Sequence, residues 1–207
     1  RFFATLGVRT VTSDDRDVLS LGKRLAGAEF CAPIAVYHGQ VAKLASTADF
    51  VFSPFYLEEG ERSGKPRRNY CYYSQFAASL AATIPDETIR TKLLTPVIKN
   101  RQSVVVRTRA LHEALRPVLG AGVGWREVDR AYREAVEHAA ERRATLPRIM
   151  KEARAAAPDE LSVVLLGRPY TVLSASMNKG IPELFGARGV RCFFQSMLEG
   201  GAADTEA

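Results

Sequence analysis

LSVVLLGRPYTVLSASMNKGIPELFGARGVRCFF, residues 161–194, is the stretch that decides the fold class. It opens on a nearly all-apolar run, 161–167, closed by Gly167. Such runs are strands buried on both faces, as in a parallel sheet flanked by helices. Residues 178–188 then read as a helix stopped by Gly189, and residues 190–194 as a second strand. A strand, a crossover helix and a parallel strand need about 30 residues, which this stretch supplies.

Working upstream, the same alternation recurs. Residues 1–6 read as the tail of a helix ending at Gly7, and residues 8–12 (VRTVT) as a short strand broken by Ser13 and the two aspartates after it. Helices are expected over 17–25, 33–45 and 72–82, a strand over 49–53 closed by Pro54, and an extended piece over 95–98. Residues 58–69 form a polar loop with Gly and Pro. Two long helices follow, over 103–119 and from Trp125 towards Ala156, and Pro147 should kink or break the second. In that helix Trp125, Val128, Tyr132, Val136 and Ala139 recur every three or four residues, the stripe of a core-facing helix. The pattern predicts an α/β fold: a first Rossmann-like lobe over 1–100, a helical linker over 101–157, and the start of a second, truncated βαβ lobe over 158–207. Arg1 in place of a start methionine, and a last strand followed only by GGAADTEA, are read as the ends of a piece of a larger protein.

Composition bounds the function. The chain has 207 residues, 46% hydrophobic and 25% charged, an ordinary globular balance. No apolar run approaches the ~18 residues of a membrane span, and no signal peptide is visible. Three widely spaced cysteines do not make a secreted disulfide framework, so a reducing cytoplasm is expected. The net charge is +6. Much of it falls between Arg101 and Arg154, with 12 Lys and Arg against 7 Asp and Glu. The i,i+4 pairs Asp129/Arg133 and Arg130/Glu134 mark that region as a solvated, salt-bridged face. Basic residues are not interleaved with aromatics, and no nucleic-acid motif is present, so nucleic acid is not an expected partner.

Two cysteines stand at helix openings. EFCAPIAVYHG (29–39) places Cys31 two residues before Pro33, and NYCYYSQFAASLAA (69–82) places Cys71 ahead of an apolar helix. First-turn N–H groups favour thiolate over thiol, and thiolate is the form that binds soft metals and iron–sulfur clusters. Proline is tolerated in the first turn, where its missing N–H costs nothing. The two openings are therefore expected to face each other and share a ligand, with both sulfurs lining one cavity. Buried cysteine as mere filling, a disulfide between the two and a nucleophilic role stand beside this. His38 lies two turns from Cys31, too far to serve it easily as a base. Cys192, inside a strand, reads as core. GRPY (167–170) follows the apolar strand at its carboxyl end, where open α/β sheets place ligands. Arg168 can meet an anion bidentately, Tyr170 can line the same pocket, and Asn178 can cap the next helix. Equally, Arg168 and Asn178 can serve only to shape the loop. No G-x-G-x-x-G turn calls for a dinucleotide.

EFCAPIAVYHGQVAKL, ADFVFSPF, NYCYYSQF and VVLLGRPYTVLSASMNKGIPELFGARGV together resemble the acyl-CoA dehydratase activase-related family, akin to 2-hydroxyacyl-CoA dehydratase subunits and double-cubane cluster proteins. The resemblance runs from about Arg1 to Leu198 and implies Rossmann-like α/β domains. It implies an iron–sulfur cluster, [4Fe–4S] or double-cubane, held by Cys31 and Cys71, and low-potential electron transfer to CoA thioesters or small reducible molecules. It implies an ATPase activase domain as partner, in the same chain or a separate subunit, and a homo- or hetero-oligomer. Relatives use a third cysteine from a later domain. Cys192 has no such context, so ligation within these residues is expected to be incomplete. No ATPase phosphate-binding loop is present, and no catalytic residue is assigned. The alternative is a cluster-free docking or ligand-binding Rossmann-like module of a multidomain activase.

Overall fold

A computed structural model describes residues 1–13, 17–26, 29–58 and 69–199. Chain contacts divide it into two units, Arg1–Val136 and Glu137–Ala207. It is a mixed fold of helices and short parallel strands, compatible with the α/β expectation.

The first unit holds α1 (Phe2–Thr5), α2 (Val18–Leu25), α3 (Ala32–Thr47), β1 (Val51–Phe52), β2 (Phe55–Tyr56), α4 (Tyr72–Gln75), α5 (Ala77–Ala82), α6 (Glu87–Lys92), β3 (Leu93–Leu94), β4 (Val97–Ile98), α7 (Val104–Leu119) and the first part of α8 (Trp125–Ala156). β1 pairs in parallel with β3, and β2 with β4. Both pairings keep one register, Val51 with Leu93 and Phe55 with Val97, so Pro54 faces Pro96 between them. A proline has no N–H for the ladder. Two prolines opposite each other therefore cut one interrupted parallel ladder into two pieces, bridged by Ser53 N–H donating to the Leu94 carbonyl and Phe55 N–H to the Pro96 carbonyl, both 2.9 Å.

Successive strand residues face opposite ways, and the core follows this. Val51 packs with Val41, Ala45, Ala81, Ile84 and Ile89 of the α3, α5 and α6 side. Phe52 packs with Ile98, Leu111 and Val128 of the α7 and α8 side. The strand layer thus lies between two helical layers. At the end of α3, Lys92 Nζ donates to the carbonyls of Ala45 and Ala48 at 2.7 and 2.8 Å, satisfying terminal groups that the helix itself cannot. α2 crosses α3 where Gly22 meets Gly39. A Cβ on Gly22 would stand 1.6 Å from the Ala35 carbonyl oxygen, and one on Gly39 would stand 2.0 Å from that of Val18.

In the second unit β5 (Ser162–Leu165) pairs in parallel with β6 (Arg191–Phe194), in register Ser162 with Arg191. Between them lie α9 (Pro169–Val172) and α10 (Ile181–Gly186). This is the expected strand–helix–strand unit. A 3-10 turn, Gln195–Met197, follows.

Several expectations need correction. Residues 8–12 form no strand with any described residue, and Val11 is 56% exposed. The helix expected over 72–82 is two helices, separated at Phe76, whose backbone (φ −108°, ψ 13°) leaves the helical range. α8 continues through Pro147, which therefore does not break it. β5 is half-buried rather than enclosed, and the flanking Leu161 and Leu166 are 68% and 69% exposed, because one paired strand and two short helices cover only part of it among the described residues. The helix expected over 178–188 begins at Ile181, after a left-handed Gly180. The α8 stripe is buried at Val128, half-buried at Trp125 and Tyr132, and exposed by Val136. Its ion pairs form as read, Arg133–Asp129 at 2.8 Å and Arg130–Glu134 at 4.0 Å. Most of the polar loop, 59–68, and the last residues, 200–207, lie outside the described residues. No described helix is long and apolar enough to cross a membrane.

Candidate functional site

Both openings take the same form. Cys31 is the N-cap of α3, with φ −60° and ψ 151°. Cys71 is the N-cap of α4, with φ −61° and ψ 153°. Each has the extended backbone of an N-cap whose carbonyl already accepts the first helical bonds. The Cys31 carbonyl accepts from Ile34 and Ala35, and that of Cys71 from Gln75. Pro33, in the first turn of α3, removes an N–H that would have had no helical partner. Both cysteines are exposed, and neither is in a disulfide.

The two caps differ in what supports the sulfur. Cys71 Sγ accepts the Ser74 N–H at 3.4 Å and lies 3.2 Å from Ser74 Oγ. Because α4 is one turn long, the sulfur meets this local donor rather than the summed dipole of a long helix. Cys31 stands at the head of the 16-residue α3, where the dipole is fully developed, and its side chain makes no cap bond.

Aromatic rings tie the two openings together. Phe30, next to Cys31, meets Tyr73, two residues past Cys71, with centroids 5.7 Å apart and planes at 81°. Phe30 also lies 5.4 Å from the ring of His38. His38 is 1% exposed, and neither ring nitrogen has a hydrogen-bond partner. Beside it, the Tyr37 hydroxyl bonds to the buried Ser53 hydroxyl, and burial pushes the Tyr37 phenol above its ordinary range, the bond to Ser53 pulling the other way. Phe30, Tyr73 and Ser74 were not singled out in the sequence. Ser74, at the three-residue spacing of a cap, had a readable signal, whereas the ring contact had none.

No group of three or more His, Cys, Asp or Glu suited to a metal ion occurs among the described residues. A four-iron cluster takes four thiolates; Cys31 and Cys71 are exposed thiols of that chemistry, and no described group supplies a full ligand set. A cavity of about 660 Å³ in this unit lies between residues 8–13 and β1, with Leu94 and Leu115 also in its wall, and neither thiol lines it.

In the second unit, Arg168 is the N-cap of α9 and donates from Nη1 to the Tyr170 hydroxyl at 2.8 Å. Asn178 does not cap α10 as its N-cap. Its Oδ1 accepts the Gly180 N–H at 3.0 Å and its Nδ2 donates to the Val172 carbonyl at 3.4 Å, closing the turn before the helix. Gly167 holds a φ of 158°, and a Cβ there would stand 2.8 Å from Val172 Cγ1. Cys192 is half-buried with its thiol 3.8 Å from the Pro182 carbonyl, and burial pushes its pKa up, as befits a core thiol.

Neither a curated protein nor a solved structure matches the chain. Residues 1–198, nearly its whole length and every residue of the sites just described, match the family described as CoA enzyme activase uncharacterised domain (DUF2229), and the chain belongs to that family.

Proposed function

We propose that the chain is an iron–sulfur component of an ATP-dependent, CoA-linked activase or dehydratase system, with Cys31 and Cys71 as two ligands of one cluster. The observation that supports this reading is the ring contact of Phe30 with Tyr73, one residue before Cys31 and two after Cys71, which are exposed thiols of matching cap geometry. Membership of a CoA enzyme activase family supports it. Such a cluster supplies one-electron chemistry at a potential set partly by hydrogen bonds to its sulfurs. The Ser74 N–H is a donor of that kind on Cys71. On this reading the chain accepts a low-potential electron from an ATPase activase domain and passes it towards a CoA thioester or a small reducible molecule. Its two parallel-strand units belong to Rossmann-like lobes, and it works in the reducing cytoplasm. Arg168 and Tyr170 contribute to an anion-binding loop at the carboxyl end of β5.

A second reading, a cluster-free docking module, is favoured by the aromatic surface around Cys71, where Tyr72 is 80% exposed and Phe76 48%. Anaerobic reconstitution with iron and sulfide separates the two. The cluster reading expects broad visible absorption and an EPR signal on reduction. A protein that stays colourless and EPR-silent leaves the docking reading.

A further inference from the structure

A polar atom fully withdrawn from water normally finds a hydrogen-bond partner, because the water it loses must be replaced. Arg101 and Arg107 break this rule. Both are half-buried, and the Nε of each is fully buried without a hydrogen-bond partner. Neither forms an ion pair among the described residues. Arg107 Nη1 reaches only neutral oxygens, the Tyr132 hydroxyl at 2.9 Å and Asn100 Oδ1 at 3.5 Å. Its guanidinium also lies 5.6 Å from the centre of the Tyr132 ring. The nearest carboxylate in this network, Glu58, is engaged with backbone instead: its Oε1 accepts the Arg101 N–H at 3.4 Å, and its carbonyl accepts Asn100 Nδ2 at 2.9 Å.

The position matters as much as the charge. Asn100 and Arg101 follow β4 directly, and Glu58 follows β2, so the cluster sits beyond the carboxyl ends of a parallel strand pair. Open parallel sheets place ligands there. The first turn of α7 adds N–H groups of the same sign, since Ser103, its N-cap, makes no side-chain cap bond. Among the described residues, Lys99, exposed beside Asn100, brings the cations to three against the carboxylate of Glu58. Guanidinium forks match tetrahedral and planar oxyanions, and a surplus of cations favours a dianion over a monoanion.

We propose that Arg101 and Arg107, with Asn100, form a binding site for a phosphate group at the carboxyl end of the β2–β4 pair. The site is independent of the thiols and does not require the cluster.

The test is thermal unfolding of the whole chain in millimolar inorganic phosphate, against sodium chloride at matched ionic strength, with calorimetric titration of the same anion. Low millimolar concentrations keep the general stabilising effect of phosphate salts small. At saturation, phosphate is expected to raise the unfolding midpoint by about 4 °C or more over chloride, with a saturable heat. Arg101→Gln is expected to lower the affinity at least about tenfold, the loss of one charge-assisted bond. Its side chain holds no other described element in place, so it remains folded if Arg107→Gln does not. Sodium acetate at the same concentration separates a phosphate site from a general carboxylate site and is expected to give less than half the shift. An absent saturable heat, an equal shift with acetate, or an undiminished response in folded Arg101→Gln overturns the proposal. Cys31→Ala is expected to bind phosphate as the parent does, so failure of the cluster reading and failure of this one are read separately.

Discussion

Phe30 meets Tyr73 edge to face, 5.7 Å between ring centres, and the residues beside this contact are the two exposed cysteine caps. Thirty-nine residues of sequence lie between Cys31 and Cys71, so no local pattern sets their spacing. The contact is a tertiary solution to that problem. Its third member is His38, a buried ring without a hydrogen bond, which fills the floor beneath Phe30 at the price of two unmatched nitrogens.

If that contact holds the openings together, Phe30 and Tyr73 must be energetically coupled. A double-mutant cycle with Phe30→Ala and Tyr73→Ala, read by urea unfolding, is expected to give a coupling of about 0.5–1.5 kcal/mol. Additive effects would show that the two openings are placed by other contacts.

Gly22 is expected to tolerate no side chain. Its virtual Cβ meets backbone, the Ala35 carbonyl, so the clash cannot be relieved by turning a side chain and α2 must move off α3. Gly22→Ala should cost more than about 2 kcal/mol, while Gly122→Ala, with open space around its Cβ position, should stay within about 0.5 kcal/mol. Equal effects at the two positions would contradict the packing described.

A chain of hydrogen bonds ties α7 to α8: Trp125 Nε1 donates to Thr108 Oγ1 at 2.9 Å, and Thr108 Oγ1 donates to Asp129 Oδ1 at 2.9 Å. The hydrogen bond from Arg133 is the chief reason the Asp129 carboxyl sits below its ordinary range. Burial opposes it, and the Thr108 bond adds to it. A carboxyl depressed in the folded state contributes stability above its unfolded pKa, about 3.9, and loses it as pH falls through the lower folded value. Asp129→Asn should therefore cost about 1 kcal/mol at neutral pH and flatten the loss of stability on acidification below about pH 4. Thr108→Val should cost about 1–3 kcal/mol, since it strands both neighbours. The protein's one tryptophan, Trp125, reports both unfolding transitions by fluorescence. An acid profile unchanged in Asp129→Asn would remove this pair from the account.

Where a signal is local, the sequence already carries it. Pro33 two residues after Cys31 announces the start of α3, and the apolar run before Gly167 announces β5, because caps and strand ends are decided by neighbouring residues. The break at Phe76 has no Gly or Pro to mark it, and it shortens the helix behind Cys71 to one turn. β2 and β3 are two residues each, too short for any periodicity, and α6, one helical turn and a half capped by Asp86, is too short to show a helical repeat. The Gly22–Gly39 crossing, the buried His38 and the unpartnered Nε atoms of Arg101 and Arg107 depend on what lies opposite them in space, which spacing along the chain does not report. The two cysteines were legible as caps. The ring contact of Phe30 with Tyr73 was not legible, because it joins residues far apart in the sequence.

The most direct measurement is iron and acid-labile sulfide per chain after anaerobic reconstitution, taken cysteine by cysteine. Cys31→Ala and Cys71→Ala should each lose most of the bound iron and sulfide, while Cys192→Ala, whose half-buried thiol points to a carbonyl, should keep the parent's content. Iron bound equally by all four proteins, or by none, would contradict a cluster shared between Cys31 and Cys71.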